Sequence, residues 1–317
     1  MAGLPVAELE RCVLAMNAEG LASGKSLAAY TSFRIGGPAD LFLDPPSEEV
    51  LSAALADAAR LEVPVTFLGG GTNVLVADRG VRGLVVRLGK AFQWADWTDS
   101  GQDRVVVEAG AALRLARLVR SSVEKGLGGL EFAAGIPGSV GGGTLMNAGA
   151  FGGEIGNAIT GARAVTKSGE IVEIGRSELS FSYRKLALKA DVMIISVRFS
   201  LLRESVGSLR RRMAAVQEKR RRKQPAGLPN AGSVFKNPNG EFAGRLIEAA
   251  GLKGRTFGKA SVSPDHGNFI VNLGGACATE VRDLMGVVQE EVWERSGVWL
   301  EPELRLIGDW DEVAGKP

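Results

Sequence analysis

The chain has 317 residues, a formal net charge of +2, 45% hydrophobic and 23% charged residues. This is the profile of a globular protein of about two domains, and the charge is too small to argue for a nucleic-acid partner. Two cysteines, Cys12 and Cys277, and a single histidine, His266, exclude a disulfide framework and a His/Cys metal site, so a reducing, cytoplasmic setting is expected.

No apolar run approaches the roughly 20 residues that span a bilayer, and the N-terminus lacks a signal-peptide pattern. An amphipathic helix is expected at 5–18. A second helix, 48–61, follows Ser47 as N-cap, with Glu48 and Glu49 at its positive end. Strands are expected at 63–68, 81–88 and 104–110, and a helix at 112–126 stopped by Gly126. Further strands fall near 162–167, 170–174 and 192–201. The texture changes near residue 203, and a basic helix then runs to Pro225. Shorter elements follow: a helix at 242–250, a strand at 268–273, a helix at 279–296 capped by Thr279 and Gly297, and a last strand at 299–308. The expected fold class is α+β.

Glycine is the outlier, with 43 residues against an average of about 7%. Much of it falls in two segments. "FLGGGTNVLV" sets Gly69, Gly70, Gly71, Thr72 and Asn73 directly after a strand. Successive amides in such a turn make a concave anion site, although a plain tight turn has the same composition. "GIPGSVGGGTLMNAGAFGGEIG", 135–156, has nine glycines in twenty-two residues and one charged residue, Glu154. Two neutral, glycine-rich segments suit a ligand that is long, anionic in the middle and aromatic at one end, as a dinucleotide is. "GLASGKS" (20–26) is one residue short of a P-loop, and position 74 is Val, so no G-x-G-x-x-G is formed. Ser139 lacks the first glycine of a nucleophile elbow.

Three polar residues outside these segments are candidates for catalysis. Arg184 sits beside Tyr183 in "FSYRK", Ser233 in "PNAGSVFKNP" and Glu303 in "EPELRLIG". Each also reads as an ordinary feature: a surface ion pair, a turn hydroxyl, an exposed strand residue. The helix at 209–223 carries eight basic residues, Arg210, Arg211, Arg212, Lys219, Arg220, Arg221, Arg222 and Lys223. A solvated face and a diphosphate or nucleic-acid contact both fit that run.

Together these segments resemble the UDP-N-acetylenolpyruvoylglucosamine reductase (MurB) family. "YTSFRIGGPAD", "FLGGGTNVLVAD", "GLEFAAGIPGSVGGGTLMNAGAFGGEI", "FSYRKL", "NAGSVFKNP", "HGNFIVN" and "EPELRLIG" fall in the family's order from about Leu27 to Gly308. The resemblance implies a vanillyl-alcohol-oxidase-type fold of two FAD-binding lobes, 1–90 and 91–203, and a substrate-binding domain, 204–317. It implies non-covalent FAD, NADPH as hydride donor, a UDP-sugar substrate, and no nucleic-acid or membrane partner; a monomer is expected. Arg184, Ser233 and Glu303 are then the catalytic residues. Gly69, Gly70, Gly71, Thr72, Asn73, Gly135, Ile136, Gly138, Ser139, Gly142, Asn147 and Gly149 would contact FAD. Tyr183, Lys223 and Asn237 would contact substrate. In the implied reaction Arg184 meets the enolpyruvyl carboxylate, a protonated Glu303 supports the enolate and Ser233 supplies the proton. Only residues 185–190 separate Arg184 from the strand expected at Asp191, so the chain resembles the branch without an extra substrate-covering loop. Two competing readings remain: an oxidase of the same fold acting on a hydroxy acid or alcohol, and a non-catalytic nucleic-acid-binding protein using the basic helix.

Overall fold

The computed structural model describes Arg11 and residues 16–310, except 102, 189–190, 224 and 226. The helix expected at 5–18 therefore lies, but for Arg11 and residues 16–18, outside the described residues.

The first lobe holds β1 (Leu21–Ser26), β2 (Pro38–Leu43), helix α1 (Glu48–Arg60), β3 (Val65–Leu68), β4 (Val74–Val76) and β5 (Val81–Arg87). Its sheet has the order β1-β2-β5-β3, with β5 parallel to both neighbours. Strands buried on both faces need near-continuous apolar runs, and "VRGLVVR" supplies one. On α1, Leu51, Ala54, Leu55 and Ala58 make a single buried stripe. Each of its leucines contributes about 1.5–3 kcal/mol by burial. Ser47 caps the helix, its Oγ accepting from Val50 N at 3.3 Å.

The second lobe holds β6 (Ala95–Asp99), β7 (Arg104–Gly110), α2 (Leu115–Glu124), β8 (Leu127–Gly128), α3 (Val140–Leu145), β9 (Gly149–Ala150), β10 (Gly153–Glu154), β11 (Ile159–Thr166), β12 (Ile171–Gly175), β13 (Ser180–Ser182), β14 (Lys185–Ala187) and β15 (Val192–Arg203). Its antiparallel sheet runs β12-β11-β15-β7-β6. One apolar core joins the lobes, with Leu41 and Leu84 from the first and Val107 and Val197 from the second. Arg163 reinforces the joint with two hydrogen bonds to Glu48, at 2.9 and 2.8 Å. Residues 185–187, expected to be plain connection, form β14 in a hairpin with β13, with Tyr183 and Arg184 at its tip.

Beyond β15 come α4 (Val206–Lys223), β16 (Asn230–Ser233), α5 (Ala243–Ala249), β17 (Thr256–Phe257), β18 (Ala260–Val262), β19 (Phe269–Asn272), α6 (Ala278–Ser296) and β20 (Arg305–Ile307). The basic helix α4 rests on the second lobe through Met213 and Val216. The sheet β16-β19-β18-β17 packs under α5 and α6 in a separate core that Phe33, Ile35 and Leu75 of the first lobe enter.

Two expectations change here. The strand expected at 299–308 is only Arg305–Ile307, because its pairing comes from β4, in parallel register Val74↔Arg305 to Val76↔Ile307; residue 302 makes an isolated bridge to Phe235 instead. Helix α6 starts one residue earlier than expected, with Cys277 rather than Thr279 as N-cap. Its first amides are satisfied from the other lobe: Asp78 accepts from Ala278 N at 2.7 Å, Thr279 N at 2.9 Å and Thr279 Oγ1 at 2.8 Å.

Candidate active site

The two glycine-rich segments lie against each other. A Cβ on Gly71 (φ +66°) would stand 1.9 Å from the carbonyl oxygen of Tyr30, so only glycine fits that turn. A Cβ on Gly70 would meet Gly138 Cα and Ser139 N at 3.0 Å, and one on Gly138 would meet Thr72 Oγ1 at 2.7 Å. Bare backbone here serves contact between backbone and backbone. Gly69 and Gly142 differ in that their added carbons would find nothing nearer than 3.7 and 3.4 Å; like Gly70, Gly71 and Gly138, both line a long cavity. Ser139, also on that wall, caps the short α3, its Oγ accepting from Gly142 N at 3.3 Å.

The cavity runs from these segments to the third domain. Thr72, Asn73, Ile136 and Gly149 line it on one side, and Ser233 and Phe269 on the other. Among the described residues, Arg87, Arg184, Arg220 and Arg305 face it against one carboxylate, Glu303. The Nε of Arg87 is buried with no hydrogen-bond acceptor among the described residues. Burial, with the nearby charge of Arg184, pushes Arg220 below the usual guanidinium range. Unsatisfied buried donors and crowded positive charge are costly, and an anionic ligand relieves both.

Arg184 occupies the tip of the β13–β14 hairpin at φ +56°. That conformation costs a non-glycine residue about 1–3 kcal/mol and collects at functional sites. Its Nη1 donates to Gly149 O at 2.9 Å, and its Nε lies 3.0 Å from Glu303 Oε1. Glu303 is 12% exposed at its side chain. Burial pushes its carboxyl above the usual carboxylate range, while Arg184 and Lys236 pull it back. Ser233 ends β16, and its hydroxyl makes no hydrogen bond to another described residue. The backbone just after it is held by Asn268, which donates through Nδ2 to Phe235 O at 2.8 Å and accepts at Oδ1 from Phe235 N at 2.9 Å.

Other expected contacts sit differently. Asn147 is 1% exposed and does not line the cavity. It donates to Glu154 Oε2 at 2.8 Å and Ser182 O at 3.0 Å, and accepts from Gly156 N at 3.1 Å. It therefore fastens the hairpin beside the turn that presents Arg184. Gly135 is a bearing for Arg220, whose Nη1 donates to its carbonyl at 3.4 Å. Asn237 accepts from Ala243 N at 3.1 Å and holds the start of α5. Tyr183 is half exposed, with the Arg184 guanidinium 5.3 Å from its ring centre. Lys223 is the last residue of α4, and its side chain lies outside the described residues. His266 is structural, its Nδ1 accepting from Asn268 N at 3.1 Å.

Sequence reasoning did not single out Arg87, Arg220, Arg305 or Asn268. For Arg220 a signal existed: Leu209, Met213, Val216 and Arg220 recur at helical spacing, which puts this arginine on the buried face of its run.

Residues 39–175 match a family model described as an FAD binding domain, and 224–307 match one described as the C-terminal domain of UDP-N-acetylenolpyruvoylglucosamine reductase. The chain is 42% identical to the UDP-N-acetylenolpyruvoylglucosamine reductase of Agathobacter rectalis, over 92% of this chain and 95% of that one. It is 43% identical to that of Rubrobacter xylanophilus, over 89% and 94%. A crystal structure of the Thermus caldophilus reductase superposes with a TM-score of 0.77 at 38% identity, covering 89% of this chain and 97% of that one.

Proposed function

The chain belongs to the UDP-N-acetylenolpyruvoylglucosamine reductase family, and on that premise we propose how the residues around its cavity divide the work. The reaction reduces the enolpyruvyl group of UDP-N-acetylenolpyruvoylglucosamine to give UDP-N-acetylmuramate, a step of peptidoglycan precursor synthesis, with FAD as cofactor and NADPH as hydride donor. The fit of FAD rests on the open faces of Gly69 and Gly142 and on the buried, unmatched Nε of Arg87. Gly69, Thr72, Ile136, Ser139 and Gly142 would hold it with Arg87. Gly70, Gly71 and Gly138 support that wall by packing on each other and on the Tyr30 turn. Among the described residues neither Cys277 nor His266 lines the cavity, which supports non-covalent attachment. When bound, FAD relays hydride from NADPH to the methylene carbon of the enolpyruvyl group.

The chain's own residues then manage charge and proton. Arg184 is fixed by Gly149 O and offers its remaining donors to the substrate carboxylate, as guanidinium does for planar anions. Negative charge develops on that carboxylate and its neighbouring carbon as an enolate. Glu303, biased by burial toward its protonated form, donates a hydrogen bond to the enolate. Ser233, whose Oγ makes no hydrogen bond to another described residue, delivers the proton to carbon and recovers one from solvent. Tyr183 is assigned to the UDP portion of the substrate, and the resemblance assigns Lys223 to the same partner. The observation that carries this reading is the Arg184–Glu303 pair at 3.0 Å facing the cavity that Ser233 also lines.

We place the three units at 1–90, 91–203 and 204–317, with α4 as the piece of the third that leans on the second. Among the described residues no helix is long and apolar enough to cross a membrane. A nucleotide-linked substrate and NADPH support a cytoplasmic setting, and we place the enzyme there as a monomer without a nucleic-acid partner. The test is spectroscopic. The purified protein should be yellow, bleach anaerobically with NADPH and regain its colour when the enolpyruvyl substrate is added. Indifference to either reagent would refute the reading.

A further inference from the structure

We propose that Asn73 is a positioning residue for Glu303, tying the catalytic carboxylate to the cofactor-side turn. Asn73 closes the Gly-Gly-Gly-Thr-Asn turn. Its Nδ2 donates to the main-chain oxygen of Glu303 at 3.0 Å. Its own main-chain oxygen accepts from Arg305 N at 3.1 Å, immediately before the β4–β20 ladder begins at Val74↔Arg305. The asparagine thus brackets Leu304 and the residues on either side of it with one acceptor and one donor.

The other side of Glu303 is fastened elsewhere. Its N–H donates to Val234 O at 2.8 Å, and Leu304 N donates to the same oxygen at 3.2 Å. Val234 follows Ser233 and is itself held by Asn268, whose main-chain oxygen accepts from Val234 N at 3.0 Å. The two ends of Glu303's backbone are therefore tied to opposite walls of the cavity. The N–H is bound to the segment that carries Ser233, and the C=O to the turn that faces the cofactor. Asn73 supplies the side-chain half of that second tie. A carboxylate that must meet an enolate at hydrogen-bond distance needs such bracing. A misplacement of about 1 Å can cost roughly 10²-fold in rate.

The substitution Asn73→Asp keeps the shape and turns the donor into an acceptor opposite a carbonyl oxygen. Asn73→Ala removes the contact. The inference rests on the role given above to Glu303, so the experiment separates the two. Each variant, with Glu303→Gln and the double variant Asn73→Ala/Glu303→Gln, is purified with FAD, and its content of flavin is measured by absorbance. Stopped-flow absorbance then follows reduction by NADPH and reoxidation by substrate separately, with substrate affinity taken from the concentration dependence.

Both Asn73 variants should hold stoichiometric FAD and reduce at the wild-type rate. Reoxidation at saturating substrate should fall about 10²-fold with little change in substrate affinity. Asn73→Ala should add no further loss once Glu303 is already Gln, because the group it positions is gone. Loss of FAD, or equal slowing of both halves, overturns the proposal and makes Asn73 a cofactor contact. Multiplicative losses in the double variant overturn it too. If neither variant folds, Asn73→Ser is made; failure of all three means the asparagine holds the fold, and the proposal falls. If Glu303→Gln leaves reoxidation untouched, the role of Glu303 fails. If Glu303→Gln slows reoxidation and the Asn73 variants do not, this inference alone fails.

Discussion

Replacing Ser233 with alanine tests the assignment of the proton donor at little structural cost. Its hydroxyl makes no hydrogen bond to another described residue, so Ser233→Ala leaves no protein partner stranded. Stability should change by no more than about 0.5 kcal/mol, as for a surface substitution. Reduction of the bound flavin by NADPH requires no proton delivered to carbon and should keep its rate. Reoxidation does require one, and losing a positioned general acid costs about 10²–10⁴ in rate, or roughly 2.7–5.4 kcal/mol. Substrate affinity should move little, since one neutral hydroxyl contributes about 0.5–1.5 kcal/mol as a hydrogen bond. Ser233→Cys should recover part of the lost rate, because a thiol is the stronger acid in a similar space. Stopped-flow absorbance resolves the two halves. Equal slowing of both by Ser233→Ala, or a melting temperature many degrees lower, would refute the argument and make the serine a prop for the 230–235 backbone.

Glycines of the cradle should separate into two classes. Gly71→Val drives a Cβ to within 1.9 Å of the Tyr30 carbonyl and should abolish soluble folded protein. Gly69→Ala adds a carbon with nothing nearer than 3.7 Å and should fold normally but bind FAD more weakly, as equilibrium dialysis would show. Asp78 gives a pH test. Burial alone would raise its carboxyl, but hydrogen bonds from Ala278 and Thr279 outweigh burial and hold it below the usual range. Its stabilisation is therefore complete above the unfolded value of about 4 and is lost as pH falls through the depressed folded value. Asp78→Ala should cost about 0.5–2 kcal/mol at neutral pH, as lost helix caps do, with the gap to wild type closing in acid melts. A gap independent of pH would contradict that origin.

How much of this could be read beforehand depended on range along the chain. Helix α1 was visible because Ser47, the glutamates and the apolar stripe all lie within fourteen residues. The candidate trio was visible because the family resemblance preserves its motifs, although Arg184, Ser233 and Glu303 come together from three distant stretches. What stayed hidden depends on partners far away in sequence. Nothing local to Thr279 reveals that Asp78, some two hundred residues earlier, would cap its helix. The glycines around 70 and 138 look alike as letters, and only their packing separates those with room for a side chain from those pressed against a neighbour. The resemblance carries Asn147 and Asn237 over as ligand contacts, and no local pattern reveals the backbone groups that their side chains hold at Ser182, Gly156 and Ala243. Their amides instead satisfy backbone donors and acceptors nearby.

The parallel pairing of β4 with β20 also sets an order of events during synthesis. The strand that leaves the first glycine turn has no partner until residues 305–307 have emerged. At about 5–20 residues per second, the 231-position offset between register partners Val74 and Arg305 takes roughly 10–50 s to synthesise. Through that interval the nascent chain carries an open strand edge, of the kind that invites mispairing. It also lacks the wall that bears Glu303. The flavin pocket is therefore a late product of translation, closed only when residues 305–307 are made. Chains released short of residue 305 should stay colourless.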